Sequence, residues 1–144
     1  MARLPAVVPR WAPKPYGPDE LAWDEARLQC RRALYSWAVA KTHKYYSDLV
    51  PLVTAIPWPE GPWIHQGQQT GHLLGQVSMA KLSRNEDRPV ISALVASKEE
   101  NMPSKGFWDL LDELGITVGK SWEARLDYWK TELERCFDTY GRKS

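Results

Sequence analysis

The sequence predicts a mostly α-helical protein of the α+β class: one helical domain with a small strand element. Several segments repeat apolar residues every three or four positions, which is the spacing of a helix with one buried face. Residues 89–97 are apolar and rich in β-branched side chains, which is typical of a buried strand. The chain has 144 residues, a length that fits one domain around one core.

The composition is that of an ordinary globular protein, with 43% hydrophobic residues, 26% charged residues and a net charge of +1. Eight tryptophans are many for this length, so aromatic side chains must carry much of the packing. Cys30 and Cys136 lie in no CxxC motif and near no histidine cluster, so we expect two buried free thiols. No apolar run is long enough for a signal sequence or a membrane helix, and we expect a cytoplasmic protein.

Residues 1–17 are expected to form a Pro-rich basic arm outside the domain, which spans residues 18–144. Five prolines among the first 18 residues exclude a helix there. From Pro18 the pattern predicts a long helix with acidic residues in its first turns and basic residues later, as the helix dipole favours. The apolar stripe of this helix consists of Trp23, Ala26, Cys30, Ala33, Leu34, Trp37 and Ala40.

A short second helix is predicted after Ser47, whose hydroxyl is a natural N-cap, and Pro51 limits its length. Three prolines and two glycines in residues 57–69 predict a loop, so the next helix is expected to start near Thr70. The buried side of the second helix is expected to be Leu49, Leu52, Val53 and Ile56.

The helix that starts near Thr70 should turn Leu73, Leu74, Val77 and Ala80 inward. Gly71 and Gly75 each lower its helix propensity by up to about 1 kcal/mol relative to Ala. Such a cost indicates that the backbone closely approaches a neighbouring helix or a ligand at these glycines.

The last third of the chain predicts a strand over residues 89–97, a turn or wing over 98–106 and a short helix over 107–115. Ser121 is expected to cap a final helix, which presents an apolar face from Trp122 to Tyr140. These stripes need each other for burial, so we expect one shared core that includes Trp37, Leu74, Val77, Ile91, Leu94 and Trp129.

A short helix, a loop, a glycine-containing helix, a strand and a wing-like turn follow one another in the order of a winged helix-turn-helix. In more detail the chain resembles the DNA-binding half of alkyltransferase-like proteins, at Tyr46 to Leu49, Gly71 to Val77 and Arg88 to Val95. The Pro-Cys-His-Arg segment that carries alkyl transfer in that family has no counterpart in residues 87–95. The resemblance therefore implies DNA binding without alkyl transfer.

A closer resemblance is to a group of small uncharacterised bacterial and phage proteins. It implies no activity, but it indicates a bacterial or phage accessory or regulatory protein. The matching segments are Arg88 to Val95, Pro103 to Trp108, Leu114-Gly115 and Tyr128 to Leu133.

Polar residues around the predicted helix-turn-helix favour a non-enzymatic nucleic-acid-binding module, with DNA as the expected partner. Amide side chains can read adenine, and Lys or Arg can neutralise phosphate. We expect exposed Gln69, His72 and Gln76 to reach base edges. The expected phosphate contacts are Lys44, Lys81, Arg84 and Lys98, and Arg88 belongs to the same predicted nucleic-acid-binding set.

Two other classes of function stay open. Trp58 and Trp63 lie in a Pro/Gly-rich segment, where aromatic residues could bind a protein partner as an adaptor or inhibitor would. A small enzyme of unknown reaction is the third possibility, but no acid, base and nucleophile converge in the sequence. His65 and His72 form no predicted metal pair, because His65 lies in the predicted loop. We therefore expect no catalytic residue, metal, cofactor or membrane partner.

Overall fold

The computed structural model describes residues 20–58, 63–82 and 88–141, and leaves aside the side chains of residues 20, 63–68 and 80–82. The predicted arm of residues 1–17 lies outside the described part. In chain order the elements are α1 (Glu20–Val39), β1 (Lys44–Tyr45), α2 (Tyr46–Leu49), α3 (Trp63–Leu82), β2 (Val95–Ala96), α4 (Lys105–Glu113) and α5 (Trp122–Tyr140). Two 3-10 turns, Val50–Leu52 and Ile91–Leu94, precede α3 and β2 respectively. The predicted class, mostly α with a small strand element, is confirmed.

Helix α1 buries nearly the whole stripe that its sequence predicts. Trp23, Cys30, Leu34 and Trp37 are all buried in the core. The predicted last member, Ala40, is exposed because the helix ends at Val39. Apolar residues at three- and four-residue spacing thus place one continuous face of α1 against the rest of the domain.

The short helix α2 does not use Ser47 as its N-cap, and that prediction is wrong. The helix starts at Tyr46, and the Asp48 carboxylate accepts a hydrogen bond of 3.0 Å from the backbone N–H of Tyr45. Ser47 itself is exposed inside the helix. Leu49, Val53 and Ile56 are buried as predicted, whereas Leu52 is exposed on the 3-10 turn.

Helix α3 starts at Trp63, seven residues before the predicted start at Thr70. The prolines that suggested a loop end at Pro62, directly before the helix, where a proline is compatible with a helix start. His65 therefore lies on the same helix as His72, contrary to the prediction of a loop, although the His65 side chain is outside the described part. A Cβ added to Gly71 would meet nothing within 4 Å, so no close approach explains that glycine, while Gly75 is buried.

The predicted strand over residues 89–97 is mostly not a strand. Residues Ile91–Leu94 form a 3-10 turn, and only Val95–Ala96 pair with β1, in parallel, with Lys44 opposite Val95. Residues 90–96 are all buried, because the segment passes between α1, α3 and α5 and has neighbours on every side. The predicted turn follows, closed by an antiparallel bridge between Ser97 and Met102.

Helix α5 closes the domain by binding the backbone of the buried 89–93 segment. The Ser121 hydroxyl accepts a 3.1 Å hydrogen bond from the N–H of Ala124, so the predicted N-cap is confirmed. The Trp129 indole donates to the Ala93 carbonyl at 2.8 Å, and the Tyr140 hydroxyl donates to the Pro89 carbonyl at 2.6 Å. Trp122, at the start of the predicted apolar face, is 59% exposed.

One hydrophobic core unites these elements. The six residues expected to share it, from Trp37 on α1 to Trp129 on α5, all belong to a single buried cluster. Cys30 and Cys136 are buried free thiols, as predicted. None of the described helices combines the length and the apolar character that a membrane span requires.

Candidate nucleic-acid interface

Gln69 and Gln76, which the sequence assigned to base contacts, are buried. Only 3% of Gln69 and 9% of Gln76 is exposed. Gln69 donates a 2.9 Å hydrogen bond to the Pro57 carbonyl, and the Gln76 carbonyl oxygen accepts one of 2.7 Å from Arg27. The expectation that these two amides face a DNA groove is wrong, because they satisfy polar groups inside the domain.

The middle of α3 has no fully exposed residue. Every residue from 69 to 79 is buried or half-buried, and His72 is one of the half-buried ones. The reason is the position of α3, which packs against α1, α4 and the 3-10 turn of residues 91–94. This stretch of α3 therefore cannot enter a DNA groove as a recognition helix.

Of the basic residues predicted to bind nucleic acid at and after the end of α3, the structure describes only the side chain of Arg88. Lys81 lies on the last turn of α3 with its side chain outside the described part, and Arg84 lies outside the described residues altogether. Arg88 is half-buried, and its Nε is buried without a hydrogen-bond partner among the described residues. Burial raises the pKa of the nearby Tyr140 phenol, and the positive charge of Arg88 opposes that rise. Arg88 thus faces the interior more than an open surface.

Among the predicted phosphate contacts whose side chains the structure describes, Lys44 and Lys98 are exposed. Lys44 lies on β1, and Lys98 follows β2 two residues after its end. Successive residues of a strand point to opposite sides, so Lys44 and its neighbour Tyr45 do not share a face. The structure brings Lys98, rather than Lys44, close to the aromatic side of β1.

A group that we call the Tyr45 face consists of His43, Tyr45 and Lys98. The Lys98 ammonium lies 5.9 Å from the centre of the Tyr45 ring, and the His43 ring is edge-on to Tyr45 at 5.8 Å. The Tyr45 hydroxyl donates to the Asn101 side-chain oxygen at 3.3 Å. His43 also packs edge-on against the buried Trp129, 5.0 Å between ring centres. A half-buried aromatic ring is therefore held in place beside a cation.

Charge around the Tyr45 face is mixed. Burial lowers the pKa of His43, which keeps its imidazole neutral near pH 7, so the ring contributes aromatic surface and no charge. Glu99 and Glu100 are exposed in the turn directly after Lys98, and Asp48 is exposed at the start of α2. These acidic groups offset much of the positive charge that an anionic partner would meet.

Of the two tryptophans of the protein-interaction alternative, the structure describes the side chain of Trp58 alone. Trp58 is half-buried against the core, and its indole donates a 2.9 Å hydrogen bond to the Val53 carbonyl. Trp63 is the first residue of α3, with its side chain outside the described part. The Trp58 ring therefore completes the packing of its own domain.

The described part of the chain contains no group of residues suited to metal binding or to nucleophilic catalysis. No three His, Cys, Asp or Glu side chains there are placed to hold a metal ion. Burial raises the pKa of the Cys30 thiol to about 12, and it also raises the pKa of Cys136, with the Glu132 charge adding to the effect. A neutral, buried thiol is a poor nucleophile.

Comparison with known proteins adds no relative. No protein-family model matches the chain, and no curated protein or solved structure matches it either. The resemblance to winged-helix and alkyltransferase-like proteins therefore stays a prediction from the sequence.

Proposed function

We propose that this chain is a non-enzymatic nucleic-acid-binding module that holds a single strand on the Tyr45 face. The observation that carries the proposal is the position of the Lys98 ammonium, 5.9 Å from the centre of a half-buried tyrosine ring. Aromatic and basic side chains combined on one surface are the means by which proteins bind single strands with little sequence preference. The role is that of a cytoplasmic accessory protein of a bacterium or phage, in line with the resemblance of the sequence.

Base stacking supplies most of the expected affinity. Stacking of one base on an aromatic side chain contributes about 1–3 kcal/mol. The Tyr45 ring is already fixed by Asn101 and His43, so little side-chain entropy is lost when a base docks on it. Lys98, which lies over the ring in the free protein, moves aside to a neighbouring phosphate as the base stacks.

Phosphate contacts add a smaller, salt-dependent part. Each phosphate neutralised on a single strand gives a log-log slope of about −0.7 against salt concentration. Lys98 is the cation described on the Tyr45 face, whereas Lys44 lies on the opposite side of β1, and Glu99 and Glu100 oppose the charge of Lys98. We therefore expect weak binding at physiological salt and a slope of about −0.7, for the one phosphate that Lys98 can reach.

The test is fluorescence anisotropy of labelled single-stranded DNA, single-stranded RNA and duplex DNA, titrated with the full chain at low salt. Tyr45→Ala should weaken single-strand binding by about tenfold, which corresponds to about 1.4 kcal/mol of lost stacking. Tyr45→Phe keeps the ring and should bind nearly as well as the unaltered chain. Lys98→Ala should weaken binding and reduce the salt slope by about 0.7.

The matched control for Lys98 is Lys130, which is exposed on α5 and makes no contact with the Tyr45 face that the structure describes. Lys130→Ala should leave both affinity and salt slope unchanged. Equal loss in both lysine variants would mean non-specific attraction to the whole surface. Absence of binding to any strand at micromolar protein in low salt would end the nucleic-acid proposal.

A further inference from the structure

A solvent-open groove lies between α1 and α3. Its volume is about 300 Å³, at the lower end of the range for pockets that hold small molecules. The groove is separate from the Tyr45 face, because the described residues that line it include none of His43, Tyr45 and Lys98. Its described lining residues are Asp24, Arg27, Leu28, Arg31 and Val77.

Two arginines give the groove its positive charge. Arg27 and Arg31 lie one turn apart on α1 and therefore on one side of the helix. Arg27 donates to Gln76 at 2.7 Å and pairs with Asp24. Arg31 is half-buried and has no hydrogen-bond or ion-pair partner within the described part of the chain. A half-buried guanidinium that makes no ion pair pays a desolvation cost that a bound anion would offset.

We propose that this groove binds the phosphate group of a small phosphorylated molecule of about mononucleotide size. A guanidinium presents a planar fork of donors that matches phosphate oxygens, and a phosphate has enough oxygens to engage two guanidinium groups at once. This inference does not rest on nucleic-acid binding at the Tyr45 face, because it concerns different residues and a different ligand.

The other lining residues define what else the ligand carries. Leu28 and Val77 offer apolar contact to a ring or hydrocarbon part beside the phosphate. The Asp24 side chain is 61% exposed at the groove, where its carboxylate can accept from a sugar hydroxyl. Its negative charge also repels a second anionic group. The groove therefore favours a monophosphate over a di- or triphosphate.

The experiment is isothermal titration of the full chain with AMP, ATP, adenosine and inorganic phosphate. AMP should bind, inorganic phosphate and ATP should bind more weakly, and adenosine should not bind. Arg31→Ala should weaken AMP binding by about tenfold or more, since a hydrogen-bonded charge contact is at stake. Arg32→Ala is the matched control, because Arg32 is the next arginine on α1 but is exposed and does not line the groove.

Two further variants separate a lost ligand contact from a lost fold. Asp24→Asn should tighten AMP binding and reduce the difference in affinity between AMP and ATP. A general loss of structure would weaken binding of both ligands instead. Leu28→Trp fills the groove without removing a charge and should block AMP. Tyr45→Ala should leave AMP binding intact whether or not the chain binds nucleic acid.

Three outcomes would overturn the proposal. These are absence of AMP binding at millimolar concentration, full affinity in Arg31→Ala, and equal losses in the Arg31 and Arg32 variants. A further titration compares a 5′-phosphorylated oligonucleotide with its unphosphorylated form. If only the phosphorylated strand binds through Arg31 and AMP does not, the terminal phosphate of a strand replaces the small molecule as the ligand.

Discussion

The buried carboxylate of Glu132 on α5 accepts a 2.7 Å hydrogen bond from the backbone N–H of Val90, 42 residues earlier in the chain. One turn further along α5, the Cys136 thiol donates to the carbonyl of the same Val90 at 3.4 Å. Arg135 binds the second carboxylate oxygen of Glu132 at 2.7 Å. Helix α5 thus bonds both backbone groups of Val90 at the place where the chain enters the buried 3-10 turn, and the carbonyl also accepts a 3.0 Å hydrogen bond from the N–H of Ala93.

We expect Glu132→Ala to destabilise the fold by about 1–3 kcal/mol, because it leaves the buried N–H of Val90 without an acceptor. Glu132→Gln should cost less, since the amide oxygen can still accept from Val90. The measurement is the free energy of unfolding from urea titration. Glu134→Gln, an exposed change two residues along α5, is the control and should have no effect. A Glu132→Ala protein as stable as its parent would contradict this account of the contact.

Neither cysteine should react in the folded protein. Cys30 is fully buried, and burial raises its pKa to about 12, so its thiol is neutral and inaccessible at pH 8. Ellman's reagent should label both cysteines at once in urea and neither of them in buffer on the same timescale. The double variant Cys30→Ala, Cys136→Ala should keep any binding activity as long as it folds. Rapid labelling of one cysteine in buffer would show that the core opens there.

The fold should lose stability as the pH rises above about 9. Burial raises the pKa of Cys30 from 9.0 to about 12 and is the largest cause that raises the pKa of Tyr128 from 10.0 to about 12. Between these values the unfolded chain has lost protons that the folded chain keeps, so the free energy of unfolding falls with pH. Each such proton changes that free energy by about 1.4 kcal/mol per pH unit.

Urea titrations at pH 8, 9, 10 and 11 measure this effect. The stabilisation should be complete at pH 8 and should decline from pH 9 towards pH 12. Tyr128→Phe should reduce the decline above pH 10, because the phenylalanine has no proton to lose. A flat profile from pH 8 to pH 11 would show that these groups ionise equally in both states.

Helices with a long apolar stripe were predictable from the sequence, and other elements were not. Residues from Trp23 to Trp37 repeat at helical spacing, and Ser121 stands where a cap must stand, so α1 and the start of α5 followed directly. The run Val90 to Val95 is apolar at every position except Ser92, and such a run has no period that distinguishes a strand from a buried turn. Strand β1 has only two residues, which is too short for any pattern.

The candidate sites depended on packing that one sequence does not reveal. Gln69 and Gln76 are polar and lie beside the predicted buried stripe, so the sequence suggested exposure. Their burial follows from the neighbours that α3 acquires on several sides. The groove at Arg27 and Arg31 was missed for the same reason, because it exists only where α3 packs against α1. Residues 1–98 carry 12 Lys or Arg and 8 Asp or Glu, and this excess of basic residues was the only signal of the groove in the sequence.

Gln76 decides between the original DNA-reading hypothesis for α3 and the packing role that the structure assigns to it. If α3 were a recognition helix, Gln76→Ala would relax sequence preference in DNA binding and leave stability unchanged. In the structure the Gln76 carbonyl oxygen accepts from Arg27, and its buried Nε2 has no partner among the described residues. Removing the side chain deletes a charged hydrogen bond and leaves a small cavity, but it also removes an unsatisfied donor.

We therefore expect Gln76→Ala to lower the free energy of unfolding by about 1 kcal/mol and to leave strand affinity at the Tyr45 face unchanged. Gln76→Leu should be closer to neutral, because it fills the space and carries no donor that needs a partner. Urea titration and anisotropy on the same preparations give both quantities. A loss of DNA affinity at full stability would return α3 to the surface that contacts DNA, because the packing role alone predicts no such loss.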